Sequence, residues 1–266
     1  MRSPRIVWVA AAAASLCLGC GRGQRSAVRL VGSTSVQPFA EMLAQEFEKK
    51  HPGHQVEVQG GGSTAGLQAV RNGIADIGTC SRSLTKEEEA EFTGIRVARD
   101  GLAVVVHPSN PVGGLSLQQI QDIFAGDKIA NWKDVGGNDL AINLITREES
   151  SGTREAFVKL VMGKAAIARR ALTQESNGAV KELVKHDRAA IGYMSLGLVG
   201  KELKVVAVDG VAPSVAEVVS GKYPLVRPFL FVVKGQPNPA AQLFIDFVLS
   251  SDGQKLLEQE GLVRAK

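Results

Sequence analysis

Short apolar runs alternate along the chain with longer segments in which apolar residues recur every three or four positions. The short runs predict strands, and the periodic segments predict amphipathic helices. Strands are predicted at 28–31, 55–59, 75–78, 95–98, 102–107, 142–146, 190–194, 205–208 and 229–233, and helices at 36–50, 64–72, 85–92, 116–125, 153–162, 178–185, 214–219, 240–249 and 253–260. This alternation predicts an α/β fold with mostly parallel sheets.

Two proline-bracketed segments, 107–111 and 223–228, interrupt the alternation. Because proline ends regular elements, each segment is interpreted as a crossing between two domains. We predict a discontinuous domain I, 27–106 with 225–266, and an inserted domain II, 107–224. Two such crossings leave a ligand cleft between the domains, with a hinge on one side.

The N-terminus has the features of a targeting segment. Arg2 and Arg5 precede an apolar stretch that is too short to span a bilayer comfortably and ends just before Cys20. We predict a signal peptide at 1–19, a tether at 20–26, and a lipid on Cys20 that anchors the protein to a membrane on its periplasmic or extracellular face. A plain signal peptide without a lipid is the alternative. The two arginines account for half of the net charge of +4, so the remaining chain is close to neutral.

Composition argues against several classes of function. Two Tyr and two Trp are few for the ring stacking that carbohydrate and nucleic-acid sites use, and no long Lys/Arg run is present. The four His are scattered without metal-ligand spacing, so no metal is expected. The chain has neither a nucleotide P-loop lysine nor a Gly-x-Ser-x-Gly motif, so neither a catalytic residue nor a cofactor is predicted. Cys80 is predicted to be a buried hydrophobe without a disulfide.

Three predicted helix starts share one chemistry. Each places hydroxyls and glycines directly before a helix, at 32–35, 60–64 and 147–153. The first N–H groups of a helix lack intrahelical partners and carry partial positive charge, so they bind oxyanions. Arg147 can add a bidentate pair to such a ligand. For any one junction ordinary N-capping is the alternative, and for Arg147 the alternative is a surface salt bridge with Glu148 or Glu149.

Seven segments occur in the order of a known family, at 32–38, 61–66, 76–82, 147–153, 191–197, 223–228 and 249–255. On these motifs the chain resembles the phosphate-binding proteins of bacterial phosphate ABC transporters. The resemblance covers nearly the whole chain after the signal peptide. It implies a two-lobed type 2 periplasmic-binding-protein fold and a monomer that is not an enzyme. It also implies capture of inorganic phosphate in the cleft and delivery to the permease subunits of an ABC importer.

The resemblance also implies the ligand contacts. The family's phosphate-binding positions carry over to Thr34, Ser35, Ser63, Arg147, Ser151, Gly152 and Thr153. Well-known members have an aspartate where this chain has Ser81, followed by Arg82, and that carboxylate accepts the proton of phosphate. Here the acceptor is expected to be a hydroxyl, a backbone carbonyl, or an acid such as Asp76 or Glu149. Arg82 is either a second positive contact or a solvated loop charge.

Other functions remain open at this point. Another tetrahedral oxyanion, such as sulfate or molybdate, would suit the same donors. A phosphate sensor without transport would have the same site. A phosphate-ester hydrolase would need a base and a nucleophile or metal beside the anion, and the sequence does not reveal either.

Overall fold

The computed structural model describes residues 26–266. The predicted signal peptide, Cys20 and all of the tether except its last residue lie outside the described residues. The strands are β1 (Ser26–Gly32), β2 (His54–Gly60), β3 (Ile77–Cys80), β4 (Thr93–Val106), β5 (Gly114–Leu115), β6 (Asn143–Arg147), β7 (Leu172–Gln174), β8 (Ala190–Ser195), β9 (Lys204–Val205), β10 (Ala207–Val208), β11 (Val226–Val233) and β12 (Val263–Arg264).

The helices lie close to their predicted positions. They are α1 (Gln37–Lys50), α2 (Ser63–Arg71), α3 (Lys86–Glu91), α4 (Leu117–Ala125), α5 (Gly152–Phe157), α6 (Asn177–His186), α7 (Val215–Val219), α8 (Pro239–Leu249) and α9 (Ser251–Gln259). A π-helical turn, Val158–Met162, continues α5. Thr85 and Glu88 form the capping box predicted at the start of α3. None of these described helices is long and apolar enough to cross a membrane.

The strands form two sheet regions that share β4. In the first lobe the order is β2-β1-β3-β11-β4, and in the second lobe it continues β4-β8-β6-β7. β1, β2 and β3 are mutually parallel, and so are β6, β7 and β8, whereas β4 and β11 run antiparallel to their neighbours. The prediction of a two-lobed α/β fold is confirmed.

β4 is one strand where the sequence predicted two. Asp100 and Gly101 interrupt its apolar pattern, but Asp100 is buried with an ion-pair partner and Gly101 packs against Leu196. β4 pairs with β11 as far as Gly101 and with β8 from Leu102 onward. The chain therefore changes sheet inside β4, before the proline-rich segment. The predicted domain bounds stay a prediction.

Each sheet is covered on both faces, because successive side chains of a strand point to opposite sides. In β11, Phe229 and Phe231 pack with α1 and α8, while Leu230 and Val232 pack with α2. In β4, Leu102, Val104 and Val106 belong to one core of the second lobe, and Ala103 and Val105 belong to the other. Both lobes are thus rigid α/β layers, and their strand ends can hold a site in fixed geometry.

Candidate functional site

The predicted helix starts meet between the two lobes. Five buried hydroxyl residues at the carboxyl ends of β1, β2, β3 and β6 form the hydroxyl cluster: Ser35, Ser63, Ser81, Ser151 and Thr153. Ser35 Oγ lies 2.7 Å from Thr153 Oγ1, which joins the first lobe to the second. Ser63 Oγ lies 3.5 Å from Ser81 Oγ. The carboxyl ends of the parallel strands β1, β2 and β3 share one edge of the first lobe, and the end of β6 in the second lobe meets that edge, so residues distant in sequence converge here.

Gly152 is a point of close approach between the lobes. A Cβ atom at this position would overlap Ser63 Oγ and lie 2.8 Å from Ser81 Oγ. The backbone at the start of α5 therefore lies directly against hydroxyls of the first lobe. Only glycine permits this approach.

The start of α5 presents backbone donors to the cluster. Ser151 Oγ caps the helix by accepting from Arg154 N–H at 3.3 Å, and the first helical bond is donated by Glu155 N–H to Ser151 O. Within the described residues the N–H groups of Gly152 and Thr153 have no hydrogen-bond partner. N-capping thus applies to Ser151, but its own O–H and the N–H groups of Gly152 and Thr153 stay available as donors.

The first two helix starts differ in how they are capped. In the β1–α1 turn Ser33 Oγ accepts from the N–H groups of Ser35 and Val36, which leaves the hydroxyls of Thr34 and Ser35 for other contacts. α2 begins at Ser63 without a side-chain cap.

Arg147 is buried at the end of β6, with a relative exposure of 1%. Its Nε and Nη2 make a bidentate pair with Glu148 at 2.9 Å, so the predicted salt bridge exists, although it is not on the surface. Nη2 also donates to Thr34 Oγ1 across the lobes at 3.0 Å. In addition, Nε donates to the carbonyl of Gln174, and Nη2 donates to the carbonyl of Glu175. Nη1 is buried and has no partner among the described residues. Arg147 therefore keeps one donor edge unused beside the cluster.

Arg82 is buried and paired with carboxylates, and its predicted contact with phosphate stays a prediction. Its side chain is buried, and it pairs with Glu88 at 2.7 and 2.9 Å and with Glu155 at 2.6 Å. Burial alone would lower the pKa of Arg82, but the hydrogen-bonded carboxylates outweigh burial and raise it. The alternative of a solvated loop charge is wrong, and the guanidinium is matched by two carboxylates.

Of the two acids considered as proton acceptors, Asp76 lies away from the cluster. Asp76 precedes β3, at the strand end opposite Ser81, where it accepts from Arg29 N–H and Asn238 Nδ2 at 2.8 and 2.9 Å. Glu149 is exposed. Asp76 therefore lies too far from Ser81 for the acceptor role, and Glu149, the hydroxyls and the backbone carbonyls remain the candidates.

An ion pair that the sequence did not reveal lies directly behind the cluster. Arg227 on β11 pairs with Asp100 on β4 at 2.9 Å, and both are buried. Arg227 Nη1 donates to Thr153 Oγ1 at 2.7 Å and to Ser81 O at 3.3 Å. Burial raises the pKa of Asp100 and lowers that of Arg227, and the ion pair opposes both shifts. The sequence features that mark this ion pair are Asp100, a lone acid between two apolar runs, and Arg227, which lies between two prolines.

Other predictions concern residues beside the site. Tyr193 is core, as predicted: it stacks on Phe157 with ring centroids 4.0 Å apart, and its hydroxyl contacts Thr146. Cys80 is a buried free thiol, as predicted. No group of His, Cys, Asp and Glu residues suited to a metal ion occurs in the range 26–266.

Two α/β lobes that share two crossing strands and meet at buried polar turns define the class of two-lobed solute-binding proteins. The PBP superfamily domain model matches residues 20–252. The phosphate-binding protein PstS of Bacillus subtilis is 34% identical over 228 residues, which cover 84% of this chain and 75% of that protein. PstS of Borreliella burgdorferi is 30% identical, with 95% of each chain covered.

Solved structures give the same result. A putative phosphate ABC transporter substrate-binding protein from Clostridium perfringens, with bound phosphate, has a TM-score of 0.88 and 39% identity, covering 91% of this chain and all of that one. An ABC-type phosphate transport receptor from Vibrio cholerae has a TM-score of 0.75 and 38% identity, covering 89% and 99%. The chain belongs to the PBP superfamily and, within it, to the PstS family of phosphate-binding proteins. This is a family of binding proteins rather than enzymes.

Proposed function

We propose that the protein captures inorganic phosphate between its two lobes and delivers it to an ABC importer. The observation that carries this is the excess of buried donors at the cluster: Arg147 Nη1 and the N–H groups of Gly152 and Thr153 have no acceptor among the described residues. Buried donors without acceptors are costly, so a site built from them suits an anionic acceptor. The relatives named for phosphate, one with phosphate bound, support phosphate as that anion.

We assign the ligand contacts to the hydroxyl cluster, to Thr34 and Gly152, and to Arg147. The donors come from both lobes, so a bound anion would hold the lobes together. Arg82 is left out of the contact set because Glu88 and Glu155 already match its charge. Sulfate or molybdate would meet the same donors and remains the competing ligand.

Calorimetric titration of Arg147→Ala with phosphate tests the assignment. A charge-assisted hydrogen bond contributes roughly 1.5–3 kcal/mol, so we expect affinity to fall by at least about tenfold. Arg71→Ala is the matched control, because Arg71 also makes a paired contact with a glutamate, Glu91, but on the outer surface. Equal phosphate affinity in the two variants would remove Arg147 from the site. Steady turnover of a phosphomonoester by the wild-type protein would favour a hydrolase instead.

We further propose that the protein works as a monomer, tethered to the membrane through lipidated Cys20 and docking on permease subunits. The family match beginning at residue 20 and the short apolar segment before it support processing at that cysteine. Mass spectrometry of the protein from membranes tests the anchor: a diacylglyceryl mass on an N-terminal Cys20 is expected, and an unmodified terminus contradicts it.

Phosphate uptake in cells lacking the gene distinguishes transport from sensing, since a sensor would leave uptake by the permease intact.

A further inference from the structure

Six buried polar residues form a closed ring of hydrogen bonds that passes through the hydroxyl cluster. We call it the polar ring: Asp100, Arg227, Thr153, Ser35, Asn177 and Ser195. It includes the first lobe through Ser35, the second lobe through Thr153, Asn177 and Ser195, and the two crossing strands through Asp100 and Arg227. Four of its members were not predicted as site residues.

Most hydrogen-bond directions in the ring are fixed. Arg227 can only donate, and it donates Nη1–H to Thr153 Oγ1. Ser195 N–H donates to Asn177 Oδ1 at 3.1 Å, which fixes the amide orientation. Asn177 Nδ2 therefore donates to Ser35 Oγ, at 2.9 Å. The 2.7 Å contact between Ser35 and Thr153 is the one bond that can run in either direction.

The Ser35–Thr153 pair has the same number of free donors and acceptors whichever of the two hydroxyls donates the shared hydrogen bond. Two hydroxyls have two hydrogens and four lone pairs. Asn177 and Arg227 each occupy one lone pair, and the shared bond uses one hydrogen and one further lone pair. The Ser35–Thr153 pair is left with one O–H and one lone pair. It offers a ligand one donor and one acceptor.

Ser63 and Ser81 cannot discriminate in the same way. Their hydroxyl oxygens are 3.5 Å apart, at the limit of a hydrogen bond. Either hydroxyl can rotate to donate to any oxyanion at little cost. By contrast, Ser35 and Thr153 can direct both of their hydroxyl hydrogens to a ligand only by breaking the 2.7 Å hydrogen bond between them. Asn177 and Arg227 hold these two hydroxyls in place.

We propose that the Ser35–Thr153 pair, held by Asn177 and Arg227, accepts the O–H of a protonated tetrahedral oxyanion and is the specificity element that replaces a carboxylate at the site. Hydrogen phosphate and hydrogen arsenate supply that O–H. Sulfate and molybdate dianions do not, and they would leave the free lone pair of the Ser35–Thr153 pair facing an oxygen that has no hydrogen to donate. The inference rests on the proposed function, because it takes the anion to lie against these hydroxyls.

Monofluorophosphate is the decisive probe, because it replaces the O–H of the hydrogen phosphate dianion by fluorine and keeps the charge. Wild-type protein is titrated with phosphate, monofluorophosphate and sulfate at one pH and ionic strength. An unmatched buried acceptor predicts at least about tenfold tighter binding of phosphate than of either other anion. The double variant Ser35→Ala/Thr153→Val should lose this preference to within about threefold, and Ser63→Ala/Ser81→Ala should keep it.

The outcomes separate the two levels of the proposal. Absence of phosphate binding by the wild-type protein contradicts the proposed function itself. Phosphate binding without preference over monofluorophosphate, or a preference kept in the Ser35/Thr153 double variant, overturns the specificity role. Loss of preference in the Ser63/Ser81 double variant also overturns it and assigns the acceptor to that pair. If the Ser35/Thr153 variant binds none of the anions, the Ser63/Ser81 variant decides alone.

Discussion

At the scale of single residues, the proposed binding of phosphate depends on donors that folding leaves without acceptors. Arg147 is fully buried, yet Glu148 occupies only its Nε and Nη2 edge. The carboxylate holds the guanidinium in place and offsets the cost of burying it, and Nη1 remains for a ligand. The N–H groups at the start of α5 add further donors at no side-chain entropy cost. In the proposed site, a single arginine would therefore contact the anion.

Gly152→Ala tests the close approach between the lobes. The added methyl group would overlap Ser63 Oγ, and overpacking of this kind costs about 1–3 kcal/mol. We expect phosphate affinity to fall by at least about fivefold in calorimetry, because the clash exists only when the lobes are together. Gly113→Ala is the control, since a Cβ at Gly113 would meet no atom within 4 Å. Unchanged affinity in Gly152→Ala would show that α5 does not close on Ser63.

At the scale of elements, α5 carries a second contact between the lobes. Glu155 in α5 pairs with Arg82, which follows β3, and accepts from Thr64 Oγ1 of α2 at 3.2 Å. Glu88 of α3 holds Arg82 in position from within the first lobe. The sequence predicts Arg82 to be a ligand contact or a loop charge; the structure excludes the solvated loop charge and gives Arg82 the geometry of a latch between β3 and α5.

Glu155→Gln should weaken phosphate binding without removing any ligand contact. The Glu155 side chain is about one-third exposed, so the pair with Arg82 contributes about 0.2–1 kcal/mol, and we expect a loss of up to about fivefold, mainly as faster release. Stopped-flow release of phosphate measures it. Glu149→Gln removes the same charge from an exposed neighbour and should leave release unchanged; equal effects in both variants would contradict the latch.

Elements and loops were predictable from sequence to different degrees. Helix starts such as Thr85 and Ser116 carry local capping signals, so their positions follow from a few residues. The short strand β7 has no such local signal, because this strand forms only through its pairing with β6. Convergence of Ser35, Ser63 and Ser81 follows from the shared carboxyl end of the parallel strands β1, β2 and β3. The polar ring does not follow, because Asp100 and Arg227 meet only through the antiparallel pairing of β4 and β11.

At the scale of the whole molecule, β4 and β11 are the structural link between two rigid lobes. Both strands continue from the first sheet to the lobe junction, and the Asp100–Arg227 pair ties them together at that point. Ser35, Thr34 and Thr64 contact the second lobe only when the lobes are together. A ligand that bridges these groups therefore stabilises the closed arrangement.

Phosphate should raise the thermal stability of the whole protein. At a free concentration one hundred times Kd, binding stabilises the native state by about 2.7 kcal/mol, which corresponds to a rise in Tm of about 5–10 °C for a chain of this size. Differential scanning fluorimetry measures the shift, with Arg147→Ala expected to show less at the same concentration. A rise of the same size with sodium chloride at matched ionic strength would indicate general screening instead of a bound anion.

The location of phosphate in a crystal structure of the complex is the most direct test of the central claim. We expect one tetrahedral ion between the lobes, within hydrogen-bond distance of Arg147 Nη1, the N–H groups of Gly152 and Thr153, and at least one of the Ser35 and Thr153 hydroxyls. An ion bound elsewhere, or one that leaves Arg147 in contact only with Glu148 and its present partners, would contradict it.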